Sequence, residues 1–352
     1  MPRLLASLVT LPLAVALAGL VVLDPGAARA CACGAAYPPV GHTVSSGAER
    51  AFLSRLPDGR ERLEMALTLT SDGDDLAVLV PTPTAPEVAQ GSIATFDELA
   101  RLSTRPVREH HESHRDGNAT AAAPHAAPSV VSTTVLDDVV ATVIKGGTPA
   151  GVTRWLSQHG YAQKPQTEPV IASYLHEGWT FTAIKLRADR PSDGTLSPVV
   201  LTFVSPTLVY PMRLSSVATE PESVTAYVLD DAFVRRGDDS TGDQHADLTA
   251  AVDLADIDVH DDSIAAAVKA GDSFLTTWDI DVADPATLTS DFVFVPDGGI
   301  DATWDADDVR QAAGGTSADG TPVGVLVGLG VLAVLAAGGV GLLVWRPLER
   351  AR

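Results

Sequence analysis

Leu76–Val88 reads LAVLVPTPTAPEV, and its two halves pull in different directions. Five consecutive apolar residues, Leu76 to Val80, predict a fully apolar strand. Pro81, Pro83 and Pro86 then forbid a central strand, because proline donates nothing to a ladder. The strand is therefore expected to stop at Val80. Just upstream, Arg62–Thr70 (RLEMALTLT) alternates apolar and polar residues. Leu63, Met65, Leu67 and Leu69 fall on one face at period two, the pattern of a half-buried strand. Ser71 to Asp75 (SDGDD) is a turn, so the two segments are expected to form a hairpin.

Working outward, Glu49–Arg55 reads as an earlier strand, and Phe96–Leu102 as a short helix capped by Thr95. Val107–Ala127 is polar, Ala/Pro-rich and aperiodic, which predicts a mobile loop inserted into the fold. Strand-like sequence resumes at Val130–Ile144. Thr148–His159 predicts a helix with Val152, Trp155 and Leu156 on one face and Gly160 as its stop. Glu168–Glu177 predicts a second helix, capped by Thr167. Trp179–Leu186, Ser197–Ser205, Leu208–Leu214 and Val224–Leu229 read as strands, with Ser205-Pro206-Thr207 turning between two of them. Asp230–Asp308 is rich in acid but keeps the apolar runs Phe274–Ile280 and Phe292–Val295, so it continues the fold with acidic loops. The expected class is α+β: a mainly antiparallel sheet with a helical hairpin over 148–177 on one face, plus one C-terminal transmembrane helix.

Several of these stretches together resemble a known family. LAVLVPTPTAPEV is similar to the strand-then-proline signature of the bacterial domain-of-unknown-function 2330 family. Trp155-Leu156 followed by His159-Gly160-Tyr161 also resembles it, as do Tyr174–Trp179 (YLHEGW) with Phe181–Leu186, and Leu196-Ser197-Pro198 through Leu208–Leu214. Cys31–Gly34 (CACG) is similar to the Cys-containing start of the mature members. The resemblance covers about residues 31 to 295. It implies an exported, membrane-tethered protein with no assigned activity and offers no catalytic residue to carry over.

The two ends specify a compartment. Arg3, the apolar run Leu4–Leu23, Pro25-Gly26 and then Ala28-Arg29-Ala30 make a secretion signal over residues 1–30 with an A-x-A cleavage site. Cleavage there leaves Cys31 first; a lipid-modified Cys31 is the competing reading. Val323–Trp345 (VGVLVGLGVLAVLAAGGVGLLVW) carries no charge, and at 1.5 Å per residue it spans a hydrocarbon core of about 30 Å. Arg346, Arg350 and Arg352 follow it and mark the cytoplasmic side. The expected order is signal 1–30, extracellular domain 31–308 with the insertion at 107–127, flexible stalk 309–321, membrane helix 322–345 and cytoplasmic tail 346–352. Gly324 and Gly328 form a small-xxx-small pair through which two such helices would approach.

The chain carries 45 acidic and 24 basic residues, a formal charge of −21. Setting aside Asp24 and Glu349 among the acids, and Arg3, Arg29, Arg346, Arg350 and Arg352 among the bases, leaves 43 against 19 outside the membrane. Such a surface repels nucleic acid and anionic headgroups. Only two cysteines are present, Cys31 and Cys33, too few for a disulfide scaffold and too close for an unstrained bridge. They are a disulfide or a thiol pair.

Candidate chemistry is sparse. His110, His111 and His114, with Glu109 and Glu112 among them, are the best metal-like cluster, of the type that suits Zn²⁺, Ni²⁺ or Cu²⁺. Their spacing lacks the H-E-x-x-H arrangement of a zinc hydrolase. The acidic turns Asp72–Asp75, Asp238-Asp239 with Asp243, and Asp301–Asp308 do not match a calcium loop. No G-x-S-x-G, S-x-x-K, P-loop or G-x-G-x-x-G is present. Trp155, Trp179, Tyr161 and Tyr174 are read as core, or as the lining of a pocket. The expected function is a non-enzymatic cell-surface binding or envelope-associated module, with no cofactor. An envelope hydrolase, built on two buried carboxylates of displaced pKa in a cleft, and a weak metal-handling surface protein are the alternatives.

Overall fold

The computed structural model describes residues 35–73, 75–104, 127–162, 164–186, 196–240 and 244–303. Two sheets carry the fold. The five-stranded sheet runs β1 (Ala35–Tyr37), β6 (Ala77–Thr82), β10 (Thr180–Leu186), β9 (Val139–Lys145) and β8 (Ser129–Val135). The seven-stranded sheet runs β15 (His245–Asp253), β16 (Phe274–Val282), β13 (Glu222–Asp230), β3 (Glu49–Arg55), β4 (Glu61–Ala66), β11 (Val199–Phe203) and β7 (Glu87–Gln90). Smaller ladders join β12 (Leu208–Tyr210), β17 (Phe292–Pro296) and β14 (Val234–Arg236), and β2 (Val44–Ser46) with β5 (Leu69–Ser71). All named pairings are antiparallel except β3 with β13. Four α-helices are found among the described residues: α1 (Ile93–Ser103), α2 (Pro149–Gln158), α3 (Glu168–His176) and α4 (Asp262–Ala270). The class is α+β, mostly antiparallel with few helices.

Strand parity arranges these elements in four layers. Val78 and Val80 of β6 and Ile184 and Leu186 of β10 face Leu53, Leu63, Met65 and Ala226 of the larger sheet, forming the central core. Alternate residues of the same strands, Leu79, Phe181 and Ala183, turn to the opposite face. There they meet Val152 and Leu156 of α2 and Ile171 and Tyr174 of α3. Phe52, Tyr227 and Leu229 likewise leave the central core to pack under Phe96 and Leu99 of α1 and Ile264 of α4. The layers are therefore helices, sheet, sheet, helices. Central strands so covered are buried on both faces, which is why LAVLV has no polar residue to spare.

Several expectations need correction. The Arg62–Thr70 run is not one half-buried strand, since residues 63–67 are buried on both faces, and it does not pair with the LAVLV strand. It divides into β4 and β5, and β6 enters the other sheet. Glu64, on the face opposite Leu63, is fully buried because its carboxylate accepts the Ser92 N–H at 2.7 Å at the start of α1. The prolines do not end the strand at Val80: β6 continues through Pro81, opposite Phe181. Among the described residues β1 pairs with β6 as far as Leu79, and the strand partner of Pro81 is β10. Ser92, not Thr95, caps α1, and Thr95 instead donates to Asp261 at 2.8 Å. Thr167 makes no side-chain cap for α3; its hydroxyl donates to the Lys164 carbonyl at 2.7 Å. Trp179–Leu186 is buried on both faces along β10. The Ser205–Thr207 turn joins β11 to β12, but the two do not pair. α4 and β15 lie in the acidic stretch that sequence patterning left as loops. Among the described residues no helix is long and apolar enough to cross a membrane; the apolar run 322–345 lies outside them.

Candidate functional site

His110, His111, His114, Cys31 and Cys33 lie outside the described residues, as do Gly324 and Gly328. Among the described residues no group of three or more His, Cys, Asp or Glu is placed to hold a metal. The first of the acidic turns, Asp72–Asp75, is structural. Asp72 accepts from the Thr43 amide at 2.7 Å, and Asp75 pairs with Lys185 at 2.8 Å.

One cleft, about 460 Å³, forms where the two layers of sheet meet the small β12–β17–β14 ladder. Gly178, at φ +83°, ends α3 and turns the chain so that Trp179 lines this space. Arg213 enters from the turn after β12, Asp291 from the segment before β17, and Asp238 from the end of β14.

Asp291 is the hub. It accepts from the Met212 amide at 2.8 Å, the Arg213 amide at 3.0 Å, Arg213 Nε at 2.8 Å and the Tyr174 hydroxyl. Burial pushes its carboxyl upward, and Arg213, the Tyr174 hydroxyl and the two amides push back. Burial likewise raises the Tyr174 phenol, with the Asp291 charge adding to it, so it stays protonated as a donor. Arg213 also grips Glu177 with both terminal nitrogens, at 2.5 and 2.6 Å, and stacks 4.1 Å from the Tyr174 ring centroid. Burial works against its charge, but Glu177 and Asp291 outweigh it and hold the guanidinium above its ordinary range. Opposite, Asp238 takes a bidentate grip from Arg236 at 2.6 and 2.9 Å. It also accepts from the amides of Ser240 and Val293.

Every buried charge of this cleft is thus matched within it. Among the described residues no histidine or lysine lines it, and the one carboxylate that the Ser290 hydroxyl reaches, Asp238 at 3.3 Å, is already held by Arg236. What faces the space is one indole, two prolines (Pro83 and Pro206), hydroxyls and the exposed Asp239. That is a preformed polar groove with an aromatic wall.

The second cleft, about 390 Å³, lies between the β2–β3 turn, the start of β13 and the end of β16. Glu222 lines it and is only 7% exposed. Val224 is the register partner of Glu49 in the parallel pair β3–β13, so Glu222, two residues away, shares a face with Glu49. Glu49 is fully buried and accepts from the Tyr210 hydroxyl at 2.9 Å. Neither carboxyl oxygen of Glu222 has a partner in hydrogen-bonding geometry. Burial, and then the neighbouring Glu49, push its carboxyl up to about 9, with the Ser215 hydroxyl opposing.

Of the residues singled out in the sequence, Trp179 lines the first cleft, Tyr174 is buried behind it, and Trp155 and Tyr161 pack around α2. The structure brings together two of the quoted family-like stretches, Tyr174–Trp179 and Leu208–Leu214, through Arg213. Asp291, Asp238 and Arg236 went unnoticed because one acid in an acidic stretch looks like any other. The available signal was Arg236, one of three bases among the acids from 230 to 308. Glu222 and Glu49 each sit at the first residue of a strand, where an acid normally faces water.

The model of a bacterial family described as "Uncharacterized protein conserved in bacteria (DUF2330)" matches residues 27–295. Among solved structures the chain is similar to the crystal structure of baculovirus P35, at 8% identity and TM-score 0.30, covering 72% of this chain and 97% of that one. It is also similar to a mutated baculovirus P35 after caspase cleavage, at 9% identity and TM-score 0.31, covering 71% and 99%. At those scores the likeness carries no argument. No curated protein matches the chain.

Proposed function

The chain belongs to this bacterial family, whose model matches residues 27–295, and we propose that it is a membrane-tethered extracellular binding module whose ligand occupies the Trp179–Arg213 cleft. The observation that carries the reading is the closed set of ion pairs around Arg213, Asp291 and Glu177 beside an open aromatic and hydroxylated wall. Charges already matched to each other hold a shape; they do not attack a substrate. Aromatic faces and hydroxyls suit a polyhydroxylated, uncharged ligand, and an envelope glycan has that chemistry.

The topology of the proposal follows the sequence: signal 1–30 removed, 31–308 outside, stalk 309–321, helix 322–345 in the bilayer, tail 346–352 in the cytoplasm, and pairing of two copies through Gly324 and Gly328. Weak metal capture by His110, His111 and His114 is a separate, lesser proposal. Two experiments test the main reading. Protease shaving of intact cells should digest the 31–308 segment; sparing it would defeat the topology. Titrating full-length protein in detergent with soluble envelope saccharides should quench tryptophan fluorescence, and Trp179→Ala should abolish the response. Release of cleaved saccharide would instead favour the hydrolase.

A further inference from the structure

We propose that the cleft between the β2–β3 turn, the start of β13 and the end of β16 binds a primary alkylammonium group, with Glu222 as its acceptor and Glu49 behind it. The site shares no lining residue with the Trp179–Arg213 cleft and stands independently of that reading.

Three observations carry it. First, Glu222 is nine-tenths buried, lines the cleft, and has neither oxygen in a hydrogen bond. A buried carboxyl left so is normally costly, and a donor entering from the cleft removes the cost. Second, the nearest charged neighbour is another carboxylate, so the site lacks positive charge rather than negative. The other polar groups near it are the Tyr210 hydroxyl, engaged with Glu49, and the Ser215 hydroxyl; Ser46, Ser223 and Asp281 also line the cleft. Third, the mouth is walled by Ala48, Pro221, Val282 and Ala283. A polar floor under apolar walls fits a short methylene stem with a cationic head.

A bare divalent cation fits less well. Calcium takes six to eight oxygens, and the described residues offer no triplet of acidic or metal-ligating side chains. The rim is also preformed. The Gly47 N–H donates to the Thr68 carbonyl at 2.8 Å, and a Cβ on Gly47 would come within 3.1 Å of Thr68 Cγ2.

When free, Glu222 holds a proton at neutral pH; when an ammonium binds, it ionises and the proton goes to solvent. The probe is Nα-acetyl-lysine methylamide, titrated calorimetrically into the full-length protein in detergent, in two buffers of different ionisation enthalpy. About one proton should leave per probe bound at pH 7.5, with affinity rising about tenfold per pH unit from 6.5 to 8.5. Glu222→Gln should lose the proton release and at least tenfold in affinity. Ala48→Trp should block the mouth with both carboxyls intact, and the norleucine analogue of the probe should not bind. Trp179→Ala should leave all of this unchanged, separating this site from the first cleft. No binding, binding without proton release, equal binding by Glu222→Gln, or displacement of the probe by millimolar calcium would each overturn the assignment.

Discussion

The two clefts treat buried acid in opposite ways. Asp291 lies under Tyr174 and Arg213 and has four donors aimed at it. Glu222 sits at the start of a strand, against a second carboxylate, with the Ser215 hydroxyl nearby but neither oxygen in a formed hydrogen bond. In the first cleft the negative charge is part of the framework. In the second it is held off by a proton. A folded protein keeps the first arrangement because removing one partner strands the others. The second is stable only while protonated, or while something cationic fills the space.

The largest test removes the hub. Asp291→Ala leaves the Tyr174 hydroxyl and the Met212 and Arg213 amides unsatisfied and strips a mostly buried guanidinium of one partner. The expected loss is about 3–5 kcal/mol in denaturant unfolding; a loss below about 1 kcal/mol would make the two clefts alike. The next test is pH. The Glu222 carboxyl is raised to about 9, above the ordinary 4.5, so the folded state binds this proton more tightly. That stabilisation is complete below about pH 4.5 and is lost as pH climbs through 9. Over this window the wild type should lose, relative to Glu222→Gln, at most about 1.4 kcal/mol per pH unit. Parallel stability curves would show that Glu222 is ionised throughout. The smallest test separates the two partners of Arg213. Glu177 is 39% exposed against 5% for Asp291, so Glu177→Ala should cost about 0.5–1 kcal/mol at most and less still in high salt. A cost equal to that of Asp291→Ala would mean that solvent does not screen the outer pair.

The strand content of the fold was legible wherever period two or an unbroken apolar run marked it. Glu49–Arg55, the segments around Val130–Ile144, and Phe274–Ile280 are all strands. Helix α2 was legible over Thr148–His159 with its stop at Gly160, and the structure makes Thr148 its cap and Pro149–Gln158 its body. Pairing was not. The turn at Ser71–Asp75 suggested a hairpin, yet the strands beside it belong to different sheets, because burial on two faces places each run and adjacency in sequence does not. The half-buried reading of Arg62–Leu69 failed for the same reason: α1 covers the face that Glu64 was expected to show to water. The candidate site was legible only in part. Trp179 and Tyr174 stood out as aromatics, whereas Asp291, Arg213 and Glu222 take their meaning chiefly from neighbours more than 30 residues away. Polar contacts of that range leave no periodic trace.

β13 lies between β16, antiparallel, and β3, parallel, and so joins the two parts of the seven-stranded sheet. Its partner β3 precedes it by well over a hundred residues. Until Glu222–Asp230 has emerged, β3 carries an open edge and the central core lacks Val224, Ala226 and Val228. A chain cut short before that strand would keep its early elements but present an unmated row of amides to its neighbours, inviting aggregation. Long-range parallel closure is also intrinsically slow, so the rate at which the molecule matures should be set by the arrival and docking of this single strand.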